Sequence, residues 1–229
     1  MDKLHHRIAT AALTDAYSEL SRLVGSLEDT DYVRPSRCAG WAVGDVLFHL
    51  LLDAQRALVA FGTPTRKAAT TDYVTYWRDW STHRDERVAG AHARFVRVAT
   101  AAYTDPQQLA GQWQQTAAAV LTTASALPGS EVVASQGRAF TVTDFLGTLA
   151  VEATVHHFDL LMELPGKPEP RPGALDLTVR VLDQLLGDTA QRPPWDDLTW
   201  VLKGTGRTPL TTSERRALGA TATRFPLVG

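Results

Sequence analysis

Glu152 and His156 stand four residues apart in the stretch Val151-Glu152-Ala153-Thr154-Val155-His156-His157-Phe158-Asp159-Leu160. On a helix that spacing stacks the two side chains one turn apart on one face. A carboxylate and an imidazole so placed can grip one divalent cation, provided a third ligand arrives from elsewhere. The same spacing also suits an ordinary hydrogen-bonded helical pair. His157 follows His156 by about 100° of helical rotation and therefore points away from such an ion.

The chain has seven histidines from which to draw the third ligand. His5 and His6 are terminal, and His83 and His92 lie among charged and small residues. His49 differs, because Phe48, Leu50, Leu51 and Leu52 around it are all apolar. Read alone, His49 suits a core histidine bonded to a backbone group. Glu152 also sits in an apolar surround, beside Leu149, Val151 and Val155. An isolated buried carboxylate is costly, and two histidines with a carboxylate satisfy one another by sharing a cation.

The elements that must position these groups are mostly helices. Ile8, Leu13, Tyr17, Leu20, Val24 and Leu27 mark an amphipathic helix over 4–27. A second helix is expected over 43–61, with Asp45 in its first turn and His49 inside its apolar surface. Thr71-Asp72 caps a long third helix over 73–103, which carries Arg84 and Arg87 near an aromatic side. Asp105-Pro106 starts a fourth helix that ends at Pro128-Gly129. Gln136-Gly137 between two short apolar runs suggests a hairpin arm over 131–140. Thr143 is the expected cap of the helix that carries Glu152 and His156, which should run to about Leu164.

The segment 165–173 holds four prolines and reads as an extended, semi-rigid linker. Beyond it come a helix over 174–186, a strand over 198–202 and a short last helix opened by the capping-box pattern Thr211-Thr212-Ser213-Glu214. The expected organisation is a helical bundle over 1–164, the proline-rich linker over 165–173 and a small C-terminal α/β appendage over 174–229, packed on the bundle. The fold class is mainly α, a four-helix bundle, an architecture that commonly holds metals on facing helices.

Composition bounds the function. Hydrophobic residues make up 44% of the chain and charged ones 21%, enough for a packed core. A formal net charge of −2 gives no electrostatic reason to expect nucleic acid. The one cysteine, Cys38, excludes an internal disulfide and a cysteine-rich zinc cluster. No stretch approaches the ~18 apolar residues of a membrane span, and the first residues lack a signal-peptide core. The expectation is a cytoplasmic protein, monomer or homodimer, with no membrane or nucleic-acid partner.

The stretch Gly40-Trp41-Ala42-Val43-Gly44-Asp45-Val46-Leu47-Phe48-His49-Leu50 resembles the first signature of the mycothiol-dependent maleylpyruvate isomerase family, a branch of the DinB-like metalloenzymes. The stretch 151–160 resembles its second signature, and the likeness covers most of residues 5–187. The resemblance implies a DinB-like bundle with a divalent metal, usually zinc, on His49, Glu152 and His156. The family's better-known members carry a larger C-terminal α/β domain. Here only residues 174–229 follow the linker, although Trp200-Val201 and Gly206–Thr211 resemble that domain's ending.

Three protein ligands leave an open position on zinc, the mark of a catalytic site. A thiol reaching a metal loses its proton, and the thiolate is the sulfur nucleophile. Cys38 lies before the second helix, outside the ligand spacing, so the thiol must be a small molecule; the resemblance implies mycothiol or a related thiol. Its addition to an electrophilic substrate leads to isomerisation if the thiol is re-expelled, or to S-transfer if it stays. Asp159, Asp45 and Asp53 have spacings that can orient a ligand imidazole, with Asp53 better read as a surface carboxylate. Arg84, Arg87 and Arg207 are candidates to grip a carboxylate of thiol or substrate. Trp41 is read as pinning the start of the second helix. The rival readings are a metal-dependent hydrolase of the same fold, for which no general base is evident, and a non-catalytic small-molecule or metal-binding bundle.

Overall fold

The computed structural model describes residues 3–82, 86–187 and 190–228. Helices α1 (His6–Val24), α2 (Val43–Gly62), α5 (Pro106–Ala126) and α6 (Val142–Leu160) form the bundle. Its packing is a square: α1 lies against α5 and α6, and α2 against α5 and α6. The apolar stripes predicted for these helices fill the middle, with Leu13, Leu20, Leu47, Trp113 and Leu146 fully buried. Each such leucine contributes roughly 1.5–3 kcal/mol relative to an exposed one.

Helix α6 is unlike the others because it is buried on nearly every side, with α1 and α2 on the bundle side and α7 (Pro172–Leu186) behind it. A helix in that place must be apolar all round or satisfy its polar groups internally. Thr148 and Thr154 do so by donating to the carbonyls of Phe145 and Ala150. The polar residues left over are Glu152, His156, His157 and Asp159.

The start of α6 is capped by Thr141 rather than Thr143. The Thr141 hydroxyl accepts the Asp144 N–H at 3.1 Å, while Thr143 donates to the Gly129 carbonyl. The helix ends at Leu160 and gives way to a 3-10 turn over Leu161–Glu163. Strands β1 (Val132–Ser135) and β2 (Arg138–Thr141) form the expected hairpin, with Val132 opposite Thr141 and Ser135 opposite Arg138. Its two-residue turn puts Gln136 and Gly137 at φ 51° and 75°, the left-handed pair that matches strand twist.

The third helix expected over 73–103 is present as α3 (Thr75–Thr82) and α4 (Glu86–Thr100). Arg84 and His83 lie outside the described residues. Residues 198–202, expected as a strand, are instead part of helix α8 (Asp197–Gly204). Asp196 decides this by accepting the Thr199 N–H at 2.7 Å, a side-chain cap that outweighs the weak β preference of a five-residue run. Among its described residues the C-terminal region is therefore helical rather than α/β. The last helix, α9 (Thr212–Leu218), has the capping box read from Thr211 and Glu214. Among the described residues no helix is long and apolar enough to cross a membrane.

Candidate metal centre

Helices α2 and α6 bring His49, Glu152 and His156 together across the bundle. Nε2 of His49 lies 3.1 Å from Oε1 of Glu152, and Nε2 of His156 lies 3.2 Å from the same oxygen. The two imidazole rings stand 4.9 Å apart, nearly perpendicular. All three donor atoms fall within 4.8 Å of one another. Two ligands on one tetrahedral zinc are separated by about 3.4 Å, given bonds of roughly 2.1 Å, so the spacing fits. The chemistry of the donors fits as well, because two imidazoles and a carboxylate are zinc-type ligands.

The outer nitrogen of His156 is held. Nδ1 donates to Oδ2 of Asp159 at 2.9 Å. Asp159 is fully buried and also receives Nε and Nη2 of Arg207, the latter at 3.0 Å. Burial alone would raise the Asp159 carboxyl, but His156 and Arg207 hold it well below the usual carboxylate range. Burial likewise opposes charge on Glu152 and on His156. The imidazoles nevertheless keep Glu152 well below the carboxylate range, and Asp159, Cys38 and Glu152 raise His156 well above an ordinary histidine. The cluster thus holds the His156 ring between two carboxylates, with Nε2 on the Glu152 side where a divalent cation can take the place of a proton.

Other residues stand differently from the sequence reading. Asp45 does not reach His49; its carboxylate accepts the Ala42 N–H at 2.9 Å and caps α2. Asp53, read as a surface carboxylate, is largely buried with Oδ2 3.5 Å from Nε2 of His49. Burial pushes its carboxyl up, and the Glu152 charge adds to that. Arg207 spends its fork on Asp159 rather than on solvent. Arg87 is exposed on α4, five residues before His92 and about 140° around the helix from it. His157 turns away, as its place on the helix demands, donating Nε2–H to the Pro168 carbonyl at 2.8 Å.

Cys38 lies outside the ligand spacing in the sequence, yet its sulfur is 3.2 Å from Oδ2 of Asp159 and 3.6 Å from Nδ1 of His156. The loop before α2 puts it there, because the Arg37 N–H donates to the Asp159 carbonyl at 3.0 Å. Cys38, His156 and Asp159 have ligand spacing of their own. A cationic guanidinium already occupies the Asp159 carboxylate, which counts against a second metal ion there. His92, among charged and small residues in the sequence, meets Nδ1 of His49 through its Nε2 at 3.3 Å. Trp41 packs beside both, 5.3 Å from the His49 ring and 6.2 Å from that of His92.

A cleft opens beside Glu152 and Asp53. Arg56, Tyr76, Gln136, Phe140 and Leu149 line it. Arg56 is bound through Nη1 to Asp53, and the Tyr76 hydroxyl donates to Gln136 at 3.0 Å.

Bundle and site together define a DinB-like helical protein with a candidate three-ligand metal centre. The family model for the mycothiol maleylpyruvate isomerase N-terminal domain matches residues 13–161, and the chain belongs to that family, a family of enzymes. Two solved structures share the fold. A crystal structure of the mycothiol-dependent maleylpyruvate isomerase is 13% identical, with a TM-score of 0.52, and the match covers 78% of this chain and 68% of that one. A histidine-to-alanine mutant of the mycothiol-dependent maleylpyruvate isomerase is 16% identical, with a TM-score of 0.53 and the same coverage. No curated protein sequence matches the chain.

Proposed function

We propose that this chain is a metal-dependent enzyme that uses a low-molecular-weight thiol, mycothiol or a relative, to isomerise or S-transfer onto a small electrophilic substrate. The observation that carries the reading is the convergence of His49 Nε2 and His156 Nε2 on one oxygen of Glu152. These three residues would hold a divalent cation, and zinc suits the donor set. When bound, the cation supplies a Lewis acid beside which a thiol gives up its proton at neutral pH.

The chain's own residues have separable tasks. Asp159 accepts the Nδ1 proton of His156 and so aims the Nε2 lone pair inward. Arg207 neutralises Asp159 and keeps it from turning to the site. The apolar side chains Phe140, Phe145 and Leu149 line the cleft beside Glu152 and exclude water from a substrate's hydrocarbon part. Arg56 has guanidinium donors beyond the one bonded to Asp53, and these suit a substrate carboxylate. The relatives' names specify maleylpyruvate, and a substrate of that type, an unsaturated carboxylate, fits such a cleft. The thiolate adds to one carbon of the double bond, the π pair moves onto the conjugated carbonyl group, and the single bond left behind rotates. Re-expulsion restores the double bond in the other geometry and returns the thiolate. An adduct that instead takes up a proton at the other carbon, matching the one the thiol gave up, is an S-transfer product. We take the enzyme to be cytoplasmic, monomeric or homodimeric.

One observation favours a second reading. Asp53 is a buried carboxylate with a raised pKa beside the centre, and it would supply the general base that a metal-dependent hydrolase needs. Turnover assays on the metal-loaded protein, with and without added thiol, separate the two. Activity on an unsaturated carboxylate that requires the thiol supports the proposal. Full activity without any thiol overturns it and favours the hydrolase.

A further inference from the structure

We propose that His92 is a positioning residue for the metal ligand His49, accepting the proton on Nδ1 and thereby presenting Nε2 to the cation. The inference rests on the metal-binding reading above and extends it to a residue outside the ligand set. A neutral imidazole that coordinates through one nitrogen carries its proton on the other, and a half-buried N–H needs an acceptor. Nε2 of His49 faces Glu152 and Asp53. Its Nδ1 faces Nε2 of His92 at 3.3 Å, and no other partner for that nitrogen is seen among the described residues. His92 must then hold its own proton on Nδ1 and offer the Nε2 lone pair.

The scaffold supports that geometry. His92 sits on α4, which packs along α2 where His49 lies. The two rings meet edge to face, 5.4 Å apart at 75°, and Trp41 flanks both. The two ligand histidines are thus oriented by different chemistry. His156 leans on a carboxylate that is itself paired with Arg207. His49 leans on a neutral imidazole, which orients the ring without adding negative charge to a site that already holds Glu152 and Asp53.

The test is the metal dissociation constant, read by chelator competition at one pH on purified, folded protein, with thermal midpoints recorded beside it. His92→Phe keeps a ring against Trp41 but has no acceptor, and His92→Gln restores an acceptor oxygen. We expect His92→Phe to weaken metal binding about 10- to 100-fold with an unchanged midpoint in the metal-free protein, and His92→Gln to recover most of that loss. His92→Phe binding metal within twofold of wild type overturns the proposal while the metal reading stands. A wild-type chain that takes up no metal overturns both.

Discussion

Nδ1 of His156 lies 2.9 Å from Oδ2 of Asp159, on the side of the ring away from Glu152. That contact joins three parts of the chain, because Asp159 also takes the Arg207 guanidinium and the Cys38 thiol. Helix α6 thereby carries both a candidate ligand and the carboxylate bonded to its outer nitrogen, while the C-terminal region supplies the counter-charge.

Removing that counter-charge should cost stability and metal affinity together. Arg207→Met leaves the buried Asp159 carboxylate with His156 and Cys38 alone. The loss expected for breaking a buried ion pair is on the order of 3 kcal/mol. Denaturant unfolding measures it, and chelator competition should show weaker metal binding. A variant as stable as wild type would mean that the pair contributes little.

Cys38 should prove to be a neighbour of the centre and not a ligand. Cys38→Ala is expected to bind the same amount of metal per chain as wild type, because His49, Glu152 and His156 are untouched. Elemental analysis of the two proteins makes the comparison. Loss of the metal on this substitution would instead assign the ion to Cys38, His156 and Asp159.

Arg56 should govern substrate binding. A charge-assisted hydrogen bond contributes about 1.5–3 kcal/mol, so Arg56→Met should raise KM for a carboxylate substrate roughly 10- to 100-fold. Metal content should not change. Steady-state kinetics decides it, and an unchanged KM would move the carboxylate elsewhere.

Much of this centre was legible in the sequence. The four-residue spacing of Glu152 and His156 survives in any helix, and the apolar neighbours of His49 announced a buried imidazole. What escaped was whatever depends on how loops and helix faces meet. Cys38 reaches Asp159 because a backbone bond from Arg37 ties the loop to the end of α6, and periodicity carries no trace of such a bond. Asp53 and Arg56 follow His49 by one and two turns, a signal that was present; only the tertiary packing shows that Asp53 is covered. Asp45 was misassigned because an acid three residues after Ala42 caps the helix before it can orient an imidazole. The strand expected over 198–202 was lost to the cap at Asp196.

His157 gives the fold a pH dependence of its own. It is fully buried, with Nδ1 lacking a partner among the described residues, and burial lowers its pKa to about 4. The unfolded value is near 6.5, so the unfolded state binds the extra proton between the two. Stability from this residue is complete above pH 6.5 and is lost as pH falls toward 4, by up to about 1.4 kcal/mol per pH unit. His157→Gln can still donate to Pro168 and does not titrate. Unfolding of the metal-free proteins from pH 7 to 4 should show a shallower fall for the variant, and parallel curves would contradict this.

His49, Glu152 and His156 are expected to hold one divalent metal ion. Elemental analysis of purified wild-type protein and His156→Ala, with circular dichroism to verify the fold, tests it most directly. About one divalent ion per chain is expected in the wild type, and none in a variant that keeps its helical spectrum. Metal retained by folded His156→Ala, or none in the wild type after incubation with zinc, would contradict it.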